Sequence, residues 1–77
     1  MKMYCISDDI DKAVGLKLTG VKSVILNNKA DIDNKINEII KDKDIGILIV
    51  TENVYEISKE KLEDIKNNKK LPLIVKL

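Results

Sequence analysis

Asp8 and Asp9 stand just past the apolar run Met3-Tyr4-Cys5-Ile6, and Thr51-Glu52-Asn53 just past Ile45-Gly46-Ile47-Leu48-Ile49-Val50. Two carboxylates at the carboxyl end of a strand could hold Mg²⁺, and a third at the end of a central strand could accept a phosphoryl group. That chemistry requires an aspartate where this chain has Val50-Thr51. The next carboxylate, Glu52, comes too late and points elsewhere. The plainer reading is that Asp8 or Asp9 caps the following helix while Thr51, Glu52 and Asn53 solvate a turn. Ser7 or Thr19 as a nucleophile would have only a carboxylate or a lysine as its base. The three glycines, Gly15, Gly20 and Gly46, form neither a dinucleotide fingerprint nor a phosphate loop.

Composition removes further classes. All 14 basic residues are lysine, against 13 acids, with no arginine and no histidine. Without arginine the chain lacks the main bidentate reader of phosphate and base edges, and Tyr4 and Tyr55 are its only stacking platforms, so no nucleic-acid partner is expected. Without histidine there is no Ser-His or Cys-His chemistry and no imidazole metal site, so neither a cofactor nor a metal is expected. Cys5 is the single cysteine and sits inside a strand, where it reads as a small buried hydrophobe. No apolar run approaches the ~20 residues that span a bilayer, and the N-terminus carries no signal-peptide pattern. A soluble, intracellular protein with no membrane insertion is the expectation.

The elements that must position these residues are short. Strand 1 covers about Lys2 to Ser7. A helix follows with Ile10, Ala13, Val14, Leu18 and Val21 on one stripe, stopped at Gly20. Strand 2 is about Ser23 to Leu26. Asp31 caps a second helix, whose Ile32, Ile36, Ile39 and Ile40 recur at helical spacing. Lys41 to Asp44 is a solvated turn before strand 3, Ile45 to Val50, which is apolar throughout and therefore central. The third helical segment is split: Val54, Tyr55 and Ile57, then Ser58 as a cap, then Leu62 and Ile65. Asn67 to Lys70 is a loop, and Pro72 opens strand 4 with Leu73-Ile74-Val75.

Strands apolar on both sides, alternating with helices, predict an α/β fold: a small four-stranded parallel sheet in flavodoxin-like order 2-1-3-4, with three helical segments on two faces. Right-handed crossovers put helix 1 alone on one face. That helix covers half the sheet, so the half over strands 3 and 4 is left bare. In strand 4, Leu73, Val75 and Leu77 face one side, Ile74 and Lys76 the other, and the lone lysine marks the Ile74/Lys76 side as the bare one.

Three stretches then resemble a single family. Ile6-Ser7-Asp8-Asp9-Ile10-Asp11 with Val14-Gly15-Leu16-Lys17-Leu18-Thr19-Gly20-Val21 is similar to the opening strand, acidic turn and helix of the F subunit of the V-type and archaeal-type (A-type) rotary ATPases. Asp44 to Glu52 resembles that family's central strand and polar exit, and Lys70-Leu71-Pro72-Leu73-Ile74-Val75 its proline-led last strand. Asp11-Lys12 departs from the pattern, standing where a hydroxyl residue is often found.

The resemblance implies a central-stalk rotor component without chemistry of its own. Members of the family dock on the coiled-coil stalk protein, the D subunit, and so help couple ATP hydrolysis or synthesis to ion transport, hydrogen ion transport included. The chain would be cytoplasmic and peripheral to the membrane. Family members continue past the last strand into a C-terminal helical tail associated with the catalytic-head subunits and with regulation. The expectation for residues 1–77 is a single domain of the F-subunit type, lacking that tail and the head contact. For stalk contact the expected residues are Ser7, Asp8, Asp9, Thr51, Glu52 and Asn53 at one end of the sheet, with Ile74 and Lys76. Alternative readings are a free-standing flavodoxin-like protein-interaction module and a receiver-like regulatory module.

Overall fold

The computed structural model describes residues 1–77. The elements are β1 (Lys2–Ser7), α1 (Ile10–Lys17), β2 (Lys22–Ile25), α2 (Lys29–Lys41), β3 (Ile45–Val50), α3 (Glu52–Ile57), α4 (Lys59–Asn68) and β4 (Leu73–Lys76). All strand pairs are parallel, in the order β2-β1-β3-β4. The expected order is therefore the observed one. The third helical segment is two helices, α3 and α4, broken at Ser58.

The central strands β1 and β3 split their side chains between two cores. On one face Ile6, Leu48 and Val50 meet Ile32, Ile36 and Ile39 of α2, Val54 and Tyr55 of α3, and Leu62 and Ile65 of α4. Burying one such Ile or Leu contributes roughly 1.5–3 kcal/mol, so this larger cluster carries most of the fold's stability. On the other face only Cys5, Val21 and Ile49 are buried together, with Leu16 and Ile47 beside them. The difference follows from topology: α1 packs on β1 and β2, and no second helix lies on that face.

Local chemistry sets the helix starts. Asp9 Oδ1 accepts from the backbone N–H groups of Asp11 at 2.8 Å and Lys12 at 3.3 Å, which opens α1. Gly20, at φ 91°, supplies the left-handed residue of the turn into β2. The start of α2 corrects the sequence reading: the cap is Asn28, not Asp31. Asn28 accepts from the Asp31 N–H at 2.9 Å and returns a side-chain bond to the Asp31 carboxylate at 2.9 Å. This reciprocal pair satisfies more groups than Asp31 could as a lone cap.

The α1 stripe also departs from expectation. Ala13 is its one buried residue, whereas Ile10, Val14 and Leu18 are 63%, 48% and 84% exposed. Val21 is buried, but it lies beyond the helix. Helical spacing gathers residues on one stripe without guaranteeing that anything packs against all of it.

Candidate functional site: an open half-face with a polar rim

At the carboxyl end of the sheet, β1 and β3 deliver their exit turns side by side. Thr51 Oγ1 donates to Asp8 Oδ1 at 2.6 Å, and Asn53 Nδ2 donates to Asp8 Oδ2 at 2.8 Å. Ser7 Oγ donates to the Asp9 carbonyl at 2.8 Å and accepts from the Asp9 N–H at 2.9 Å. Ser7, Asp8, Asp9, Thr51 and Asn53 thus form a hydrogen-bonded rim, and Glu52 begins α3 beside them. Hydrogen bonds from Thr51 and then Asn53 hold the Asp8 carboxyl below its ordinary range.

This cluster is not arranged for catalysis. A carboxylate of lowered pKa is a poor proton acceptor near neutrality, and Thr51 is 2% exposed, which denies it a substrate. No three carboxylate or thiol groups converge to hold a metal ion. Cys5 is fully buried and its thiol is pushed up by that burial, partly offset by Ser23. An open cavity of ≈ 430 Å³ lies at the opposite end of the sheet, lined in part by Met3, Tyr4, Thr19, Val21 and Lys22.

Ile74 and Lys76 make no side-chain hydrogen bond to the rim, although Lys76 pairs with Val50 just before Thr51, and the bare side assigned to them is corrected here. Ile74 pairs with Leu48 and packs on the larger core, so it faces α2, α3 and α4. Lys76 follows the same parity and sets its ammonium 4.8 Å from the centre of the Tyr55 ring. A lysine can occupy a covered face because its stem lies on apolar surface and its charge meets an aromatic ring at the margin.

The bare half belongs to the other parity. Leu73 pairs with Ile47 and Val75 with Ile49, which places both on the α1 side, over strands that α1 does not reach. They are 55% and 43% exposed, Leu77 is 45% exposed where the alternation continues, and Met3, paired with Ile47, is 44% exposed. Only the fold reveals this, because it brings Tyr55 of α3 beside the exposed Lys76 at the margin of the covered face.

The structure therefore defines a class: a small doubly wound parallel α/β domain with one covered face, one open apolar half-face and a hydrogen-bonded acidic rim. A family model described as ATP synthase (F/14-kDa) subunit matches residues 3–77, and the chain belongs to that family, the F subunits of the A/V-type ATPases. Among curated proteins, it is similar to the F subunit of the A-type ATP synthase of Methanothrix thermoacetophila, with 29% identity over 66 residues, 84% of this chain and 67% of that protein. It is also similar to the F subunit of the A-type ATP synthase of Thermococcus kodakarensis, with 32% identity over 82 aligned positions, covering 100% of this chain and 74% of that protein.

Proposed function

We propose that this chain is a non-catalytic central-stalk component of an A/V-type ATPase or ATP synthase, which binds the coiled-coil stalk subunit and turns with it. In this role it transmits torque between ATP chemistry and ion transport carried out by other subunits, in a cytoplasmic assembly peripheral to the membrane. One observation carries the reading. A chain of this family leaves Leu73, Val75, Leu77 and Met3 exposed together on one half-face of its sheet. Contiguous exposed apolar surface on a small domain marks a place where a partner sits.

The contact residues divide by geometry. The half-face supplies the apolar centre, and Asp8, Asp9, Glu52 and Asn53 form a polar rim at its carboxyl end. Ser7 and Thr51 hold that rim from beneath, both being buried. Ile74 and Lys76 contribute to the fold under the opposite face. The test is gel filtration with light scattering of this chain mixed with the stalk subunit of the same organism. A one-to-one complex, lost on Val75→Asp while the variant keeps its helical circular dichroism, is expected. Two separate monomers for the unaltered chain would reject the reading.

A further inference from the structure

The two ends of the strands that bound the open half-face differ in charge. Lys2 and Lys43 border a depression of ≈ 280 Å³ with Gly46 and Leu71 at the amino ends of the strands, and Lys69 and Lys70 lie in the turn that leads into β4. Asp44 borders the same depression, and Asp42 accepts from the Asp44 N–H at 3.0 Å, so two acids temper four lysines there. At the carboxyl ends stand Asp8, Asp9 and Glu52, with Lys12 acting on Asp8 and with Lys76 closing β4, its ammonium over the Tyr55 ring of the covered face. The chain's salt bridges are Lys29–Asp33 and Lys35–Glu38, both on α2. The lysines at one end and the acids at the other are therefore free of ion-pair partners within the chain.

We propose that the half-face accepts a single amphipathic helix from the stalk partner, running antiparallel to the strands. Its N-terminal end is basic over Asp8, Asp9 and Glu52, and its C-terminal end is acidic over Lys2, Lys43, Lys69 and Lys70. The inference rests on the stalk-docking reading and specifies that partner's direction and charge pattern. Width selects one helix: β3 and β4 stand about 4.8 Å apart, and a helix with side chains is about 10 Å across. Length follows from the six residues of β3. They span about 20 Å, which a helix covers in about 13 residues. Direction follows from the side-chain charges, which meet their opposites only in this orientation. Rim charges of this kind chiefly set orientation and association rate, whereas the apolar centre sets affinity.

The test uses the stalk subunit of the same organism as the probe. Carbodiimide coupling joins this chain's lysines to partner carboxylates and its acids to partner lysines, and mass spectrometry maps each link. Links from Lys43 and Lys70 should fall about 10 or more residues C-terminal, in the partner helix, to links from Asp9 and Glu52. The paired variant Lys43→Glu with Lys70→Glu should weaken binding about tenfold at low salt, and less at high salt. Reversed link order, or binding indifferent to both this pair and Leu73→Asp, overturns the inference and leaves stalk docking standing. Failure of the unaltered chain to form any complex rejects stalk docking itself and this inference with it.

Discussion

The Thr51 hydroxyl donates to the Asp8 carboxylate at 2.6 Å across 43 positions of sequence, and with Asn53 it ties the end of β1 to the start of α3. The arrangement explains why carboxylates at a switch point need not imply chemistry. Both Asp8 oxygens are taken by neutral donors, and Thr51 is sealed beneath the turn. What the bonds do is fix the geometry of the rim.

Asp8→Ala should therefore destabilise the fold at neutral pH by about 1–2 kcal/mol, the range for hydrogen bonds to a charged group once solvent screening at an open site is discounted. In a domain of this size that lowers Tm by roughly 4–16 °C. The pH dependence has a definite sign. The folded pKa is depressed, so the contribution is complete above the ordinary aspartate value of about 3.9 and is lost as pH falls through the folded value. Thermal melts from pH 7 to pH 2 should show a shallower acid limit for the variant. A parallel acid limit would mean that Asp8 contributes no linkage.

The same geometry argues against phosphoryl acceptance. Incubation with Mg²⁺ and acetyl phosphate should leave the intact mass unchanged, because the end of β3 offers buried Thr51 in place of an exposed aspartate. An added phosphate mass that disappears in Asp8→Asn would revive the receiver-like reading.

How much of this was legible in the sequence differs by element. The isoleucines of α2 declared their buried face because that helix has a full sheet face beneath it, and Ile32, Ile36 and Ile39 are all buried. The same spacing argument failed for Ile10, Val14 and Leu18, since a stripe shows which residues share a side and not how wide the covering surface is. Strand order followed from handedness and from the fully apolar β3. The open half-face was also legible as a consequence of having one helix where two fit. Its parity was not: a lysine in a strand reads as solvent-facing until Tyr55 is known to lie beside it. Hydrogen bonding between Asp8 and Thr51 joins residues far apart in the chain, and no local pattern encodes it.

The glycines separate two kinds of requirement. Gly20 has φ 91°, so Gly20→Ala forces an L side chain into the left-handed region and should cost about 1–2 kcal/mol in chemical denaturation. Gly46 has no positive φ, and a methyl group there would first meet the side chain of Met1, which is 84% exposed and free to move. Gly46→Ala should cost less than about 1 kcal/mol. Equal losses at both sites would show that the Met1 contact is structural.

Neighbouring residues of β4 give the sharpest contrast. Ile74 is half-buried against the larger core, so Ile74→Asp sets an unpartnered carboxylate on apolar surface, loses that packing and should cost several kcal/mol. A domain of this size has about 4–11 kcal/mol in total, so much of the variant should be unfolded by circular dichroism. Leu73 is 55% exposed on the opposite side, and Leu73→Asp should stay within about 1 kcal/mol of the unaltered chain in stability. The two variants should then differ in kind. Ile74→Asp loses stalk binding because it loses structure, whereas Leu73→Asp keeps its fold and loses about tenfold or more in affinity by titration calorimetry. A folded Ile74→Asp would mean that this strand presents its other parity to the helices. A folded Leu73→Asp with full affinity would move the docking surface away from β4, and the exposed α1 stripe of Ile10, Val14 and Leu18 would become the next surface to alter.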